Sequence, residues 1–148
     1  MTLTNAKILS IFQNTTRMPP ASKLLGFELL DLSMEQGWVE VAFTAKPEFA
    51  NPTGSVQGGF ITAMLDDAMG VAASIHSGLT KIVPTLQLTV TFLHPVPVGR
   101  VIVRGEVLRL GRNTAQLAGV LRLSDGTIAA TAMAAAAVRD IPPRRTAE

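Results

Sequence analysis

The stretch from Asn51 to Ala73, NPTGSVQGGFITAMLDDAMGVAA, limits the possible folds most, because it joins a glycine-rich turn to an apolar helix carrying two adjacent acids. Asn51, Pro52 and Gly54 are turn formers, and Gly58-Gly59 loosens the backbone where a helix should begin. From Phe60 through Ile75 the apolar residues leave almost no polar face, which predicts a buried helix over about Gly58 to Ser77, closed by Gly78. Asp66 and Asp67 interrupt that helix, and it falls short of the roughly 20 apolar residues that a membrane span requires. Two carboxylates in a buried helix are the anomaly to explain, since an unpaired buried charge is costly.

The segments on either side change period. Ile8, Leu9, Ile11 and Phe12 share one face of a short helix capped by Thr4, which should end before Pro19-Pro20. The segment PPASKLLGFELL reads as a loop entering a first strand at about Gly26 to Ser33, and Gln36-Gly37 turns it into a second, Trp38 to Ala45. After the helix, a strand from Lys81 places Leu86, Leu88, Val90 and Phe92 on one face and Gln87, Thr89 and Thr91 on the other. It stops at HPVPVG. Val101, Val103 and Val107 mark the next strand, Thr114 to Leu123 returns, and Ser124-Asp125-Gly126 turns into Thr127 to Val138. The alanines of that last segment favour helix by propensity, but the hairpin context predicts a strand packed closely on its neighbour. Asp140 to Glu148 reads as a frayed tail.

A helix, a hairpin, a long buried helix and a meander of long strands predict an α+β fold, an antiparallel sheet wrapped around one central helix. The 148 residues suffice for one hydrophobic core, so 1–148 is expected to be a single domain. Apolar residues at 47% against 16% charged exclude disorder and predict self-association. With no cysteine, disulfides and a thiolate nucleophile are impossible. The start of the chain lacks a charged segment followed by a long apolar run, so a cytoplasmic location is expected. Arginines concentrate late, but the net charge is only +2, with one tryptophan and no tyrosine to stack bases, so no nucleic-acid partner is expected. His76 and His94 lack a nucleophile or acid partner in any recognisable setting, and no metal site is expected.

Asn51, Gly54, Gly58-Gly59, Asp66, Ala68 and Gly70 resemble the hotdog-fold thioesterases of the phenylacetyl-CoA thioesterase (PaaI-like) type. Their signature runs Asn-x-x-Gly-x-x-His-Gly-Gly, with an Asp eight residues after the first glycine of the pair. The likeness extends to VPTLQLTVTFLHPVPVG and to GRNTAQLAGVLRLSDGTIAATAMAA. One position departs: Gln57 stands where the family usually has histidine, and an amide can donate a hydrogen bond but cannot act as a base.

The resemblance implies that the Gly58 N-H polarises a thioester carbonyl at a helix N-terminus and that Asp66 is the base or nucleophile. It also implies that Asn51 orients the carbonyl or the water, and that Thr85 holds the water. Gln57, Gly59 and Phe60 would contact the substrate, Phe60 as either core or pocket wall, and Arg112 in the GRN turn is a candidate for the coenzyme A phosphates. The expected reaction is hydrolysis of an aromatic or medium-chain acyl-CoA, with no cofactor beyond the coenzyme A of the substrate. The alternative is a non-catalytic module that binds acyl thioesters. A hotdog dehydratase would want an acid-histidine pair near the helix, and none is seen.

Eight residues separate Gly58 from Asp66, about 12 Å along a helix and too far to act on one carbonyl. Two antiparallel helices across a two-fold axis near Thr62 would bring Gly58 of one chain to Asp66 of the other, so a homodimer with two shared sites is expected, and pairing of dimers into a homotetramer is possible. Adjacent helix positions point about 100° apart, so only one of the two acids can face the site. Asp67 is expected to be a structural acid, hydrogen-bonded to a loop or paired with an arginine.

Overall fold

The computed structural model describes residues 2–142. Helix α1 (Asn5–Asn14) is capped by Thr4, whose hydroxyl accepts from the Lys7 N-H at 3.2 Å, and Ile8 is fully buried beneath it. A short helix α2 (Pro20–Leu24) follows, with proline in its first turn. Strands β1 (Glu28–Ser33) and β2 (Trp38–Ala45) form the expected hairpin, and a single 3-10 turn (Pro47–Phe49) leads to the central helix α3 (Gly58–His76). Then come β3 (Lys81–Ile82), β4 (Thr85–Phe92), β5 (Gly99–Leu110), β6 (Thr114–Arg122), β7 (Ile128–Ala137) and β8 (Arg139–Asp140).

Six strands make one antiparallel sheet in the order β1-β2-β5-β6-β7-β4, and α3 lies against its concave face. This is the hotdog arrangement. Close approach of helix and sheet depends on Gly105: a Cβ there would lie 2.5 Å from the Ala68 carbonyl oxygen and 2.8 Å from the Met69 nitrogen. Gly119 serves the same contact more loosely, beneath Leu65 and Met69. The core between the layers combines Met64, Leu65 and Met69 with Val41, Phe43, Val103 and Leu117, all essentially without solvent contact.

Four expectations need correction. PPASKLLGFELL is not an open loop but contains α2, and β1 starts at Glu28 because Gly26, at φ +70° and pressed against Thr44, turns the chain first. The strand from Lys81 is broken at Val83-Pro84, because proline offers no ladder N-H. Asp140, the first residue of the expected tail, is not frayed: with Arg139 it pairs with Lys81 and Ile82, and the Lys81 ammonium forms an ion pair with the Asp140 carboxylate. Residues 143–148 of the expected tail lie outside the described residues. Among the described residues, no helix is long and apolar enough to cross a membrane.

Strand β4 is the sheet edge next to α3. Its partner is β7, in a register running from Thr85↔Ala136 to Phe92↔Ala130. Leu88 and Val90 on its helix-facing side are half-buried, while Leu86 is 66% and Phe92 51% exposed. The alanines of β7 let this edge lie close to the helix.

Candidate active site

Helix α3 begins with a side-chain cap. Gln57 is its N-cap residue, and its Oε1 accepts from the Gly59 N-H at 2.7 Å. The amide carbonyl therefore satisfies one of the free donors of the first turn, and a Cβ at Gly59 would collide with it at 2.7 Å. The Gly58 N-H, by contrast, donates to no backbone or side-chain acceptor among the described residues. The Phe92 ring edge lies over Gly58, 3.1 Å from where a Cβ would stand. Phe60 points away and stacks on Phe49, ring centroids 4.0 Å apart.

The loop before this turn is held by Asn51. Its Oδ1 accepts from the Thr53 N-H at 2.9 Å, the Thr53 hydroxyl at 2.7 Å and the Ser55 N-H at 3.2 Å. The oxygen is thus occupied by its own turn, and only the amide nitrogen of Asn51 is free to face a ligand. Asn51 and Gly58 both line a cavity of about 380 Å³, walled by Ile61, Phe92, Leu93 and Val96.

Two turns along the same helix lies a second constellation. The Thr85 hydroxyl donates to Asp66 Oδ1 at 2.7 Å, so the first residue of β4 holds the helix carboxylate in place. Asp66, Asp67 and Thr85 line a larger cavity of about 640 Å³, built from the C-terminal half of α3, from α1 and α2, and from Phe27, Ile82 and Val83. Asp67 turns inward. Its Oδ1 accepts from the Ser22 hydroxyl at 3.1 Å, and its Oδ2 is buried without a protein partner. Burial raises the Asp67 pKa above the ordinary carboxylate value, the Ser22 hydrogen bond pulls it back, and the neighbouring Asp66 charge adds to the rise. The partner foreseen as a loop is thus Ser22, inside α2.

Gly58 and Asn51 therefore come together in one cavity, and Asp66 and Thr85 in the other. Gln57 and Gly59 sit beside the first and are joined to each other, while Phe60 and Arg112 line neither. Arg112 lies in the turn before β6, at the end of the sheet where Thr85 pairs with Ala136 and Thr114 with Ala137. The His76 Nδ1–H donates to the Met34 carbonyl at 2.7 Å, and His94 is exposed. Among the described residues, no group of three or more His, Cys, Asp or Glu could hold a metal ion. The walls that α1, α2 and Phe27 give the larger cavity were not foreseen, because nothing in their spacing distinguishes a cavity wall from ordinary core.

The family model described as "Thioesterase superfamily" matches residues 53–130, the segment from the Asn51 turn to β7. This chain belongs to the thioesterase superfamily. A solved structure of a candidate thioesterase from Ralstonia eutropha JMP134, described as related to phenylacetic acid degradation, is 32% identical, with a TM-score of 0.77, covering 87% of this chain and 98% of that one. A candidate esterase of Saccharolobus solfataricus is 29% identical over 111 residues, 72% of this chain and 78% of that protein. A Streptococcus mutans UA159 protein, solved bound to acetyl-CoA, shares the fold at 23% identity and a TM-score of 0.68, covering 77% of this chain and 89% of that one. Fold and sequence together place this thioesterase in the hotdog, PaaI-like group and make it a thioester hydrolase.

Proposed function

We propose that this thioesterase hydrolyses an aromatic or medium-chain acyl-CoA to the free acid and coenzyme A, in sites shared between two copies of the chain. The observation that carries the reading is the Thr85–Asp66 hydrogen bond at the mouth of the larger cavity, 2.7 Å long. It fixes a carboxylate beside a space that can hold an acyl group. A carboxylate so placed takes a proton from water as the water oxygen attacks the thioester carbon, contributing on the order of 10²–10⁴ in rate. The carbonyl oxygen, gaining negative charge, needs donors, and the Gly58 N-H at a helix N-terminus is one. The C–S bond then breaks, and coenzyme A departs as a thiolate that needs little help. Attack by Asp66 itself, through an anhydride, would use the same two groups. Water, the acid and the donors suffice, so the proposal includes no cofactor.

The shared site follows from the separation of those groups. Both half-sites flank β4, Thr85 at its start and Phe92 at its end. Strand β4 is a sheet edge with exposed apolar residues on its helix side, and such an edge calls for cover. Antiparallel pairing of β4 with its copy sets the Thr85 end of one chain against the Phe92 end of the other. The Asp66 cavity of one protomer then meets the Gly58 cavity of its partner, and α3 is carried across the same axis. Pairing of two such dimers would give the tetramer. Arg112, at the Thr85 end of the sheet, is the proposed contact for the coenzyme A phosphates. A coenzyme A thioester as the substrate is in keeping with the acetyl-CoA bound by the Streptococcus mutans protein of the same fold.

Thiol release from a panel of aromatic and aliphatic acyl-CoAs, with wild type and Asp66→Asn compared as folded proteins, tests the proposal. The expected result is turnover by wild type and a loss of about 10²–10⁴ in kcat for the variant, with substrate still bound. A wild type that binds these thioesters and cleaves none would replace this reading with a binding module.

A further inference from the structure

Helix α3 contains one glycine that its packing does not explain. Gly70 lies well inside the helix, where glycine is less favourable than alanine. Gly105 and Gly119 are glycines because α3 presses on them. A Cβ at Gly70 meets nothing within 4 Å. The space it would enter is the larger cavity, which Gly70 lines between Asp66 at one end and Ser74 at the other.

Asp66, Gly70 and Ser74 are successive residues on one face of the helix, so the cavity runs along the helix from the carboxylate for about 12 Å. Its opposite wall is mostly apolar, with Ile11, Phe12, Met18 and Phe27 beside the polar Thr15, Arg17 and Ser22. All of these precede the stretch matched by the superfamily model. The half of the site that performs chemistry thus lies in the shared segment, and the wall facing it is built by the N-terminal part of this chain. Ile11 is 44% exposed, as suits a residue at an open rim.

We propose that this cavity receives the acyl group and that Gly70 sets its depth, making Gly70 a specificity-determining residue for acyl length. The inference rests on the acyl-CoA hydrolysis proposed above. An apolar chain entering past Asp66 and Thr85 runs along the strip of helix backbone that Gly70 leaves bare. A side chain at position 70 would project across that path. The favoured substrate is accordingly an acyl group long enough to pass Gly70, a medium-length chain or an aryl-terminated one, and not acetyl.

The test is a series Gly70→Ala, Gly70→Val and Gly70→Leu, assayed on straight-chain acyl-CoAs from two to twelve carbons, with melting temperature and light scattering for each protein. The expected result is a stepwise fall in the ratio of long-chain to short-chain kcat/KM, about tenfold or more by Gly70→Leu. It should appear mainly in KM, at unchanged oligomeric state and with a melting temperature no lower for Gly70→Ala. Ile11→Ala, on the facing wall, should shift the preference the other way. Equal loss across all chain lengths, or an unshifted ratio, would overturn the proposal, as would dissociation of the oligomer, which would mean that a partner chain and not an acyl group fills the space. If wild type cleaves none of the series, the hydrolysis reading fails by itself. Calorimetric binding of the same acyl-CoAs to the same variants then decides the depth proposal by the same ratio.

Discussion

The two ends of the proposed catalytic stretch of α3 are built on opposite principles. At the N-terminus, around Gly58, the chemistry belongs to the backbone: an N-H without a partner among the described residues, a Gln57 cap on the adjacent Gly59, and an Asn51 turn whose side-chain oxygen already has three donors. Around Asp66, two turns on, the chemistry belongs to side chains, a carboxylate held by the Thr85 hydroxyl beside a large apolar cavity. One end can stabilise negative charge and the other can remove a proton. Neither end does both, and this is why the proposed sites combine two copies of the chain.

If the acid end generates the nucleophile, Asp66→Asn should have the largest effect of any single change. The donor end is next. Gly58 is the first residue of α3, a position that tolerates proline, and Gln57 at φ −64° and ψ 136° already has the conformation that precedes proline. Gly58→Pro therefore removes the N-H at little cost to the helix backbone, provided that the half-exposed Phe92 ring, 3.1 Å from the added Cβ, shifts aside, and kcat should fall by about 10²–10³. A kcat within twofold of wild type would take the oxyanion role away from this end.

Thr85→Val keeps the shape of the strand residue and deletes the hydroxyl. A hydrogen bond to a charged group is worth about 1.5–3 kcal/mol, so a loss of about 10- to 150-fold is expected, in kcat and not in KM. An effect confined to KM would make Thr85 a substrate contact instead of a support for Asp66.

The smallest effect sharpens the contrast between the two acids. Because burial raises the Asp67 pKa in the folded protein, the folded state holds a proton there that the unfolded state releases above about its ordinary value of 3.8. That contribution is fully present below 3.8 and is lost as pH rises through the folded-state value. Asp67→Asn should therefore melt above wild type by a few degrees near neutral pH, with the gap closing as pH falls toward 3.8. Melting curves that stay parallel over the whole range would show that Asp67 is not held in this way.

Much of this arrangement was legible before the structure. The alternation of Trp38 to Ala45 defines β2 to the residue, and the apolar run after Gly58-Gly59 defines α3 to within one residue of its end. The alanine-rich β7 was readable only from its Asp-Gly turn, where the Asp125 carboxylate accepts from the Thr127 N-H. What escaped depends on contacts distant in sequence. Helix α2 has five residues, too few for a periodic signal, and it is fixed by the Ser22 hydrogen bond to Asp67, 45 positions away. Strand β8 exists because Lys81 and Asp140 meet. The separation of Gly58 from Asp66 was readable from helix rise alone, and the two line different cavities. The occupation of Gln57 by Gly59 was not, because a cap reveals itself only in side-chain geometry.

The central claim is that each working site takes its donor from one chain and its acid from another. Asp66→Asn and Gly58→Pro proteins, each nearly inactive, should be unfolded together in equal amounts, refolded as a mixture and assayed. With shared sites, half of the dimers are mixed and each mixed dimer holds one intact site, so the mixture should recover about a quarter of wild-type activity. Recovery of none, with mixed dimers demonstrated by mass spectrometry, would mean that Gly58 and Asp66 act within a single chain and would contradict the account.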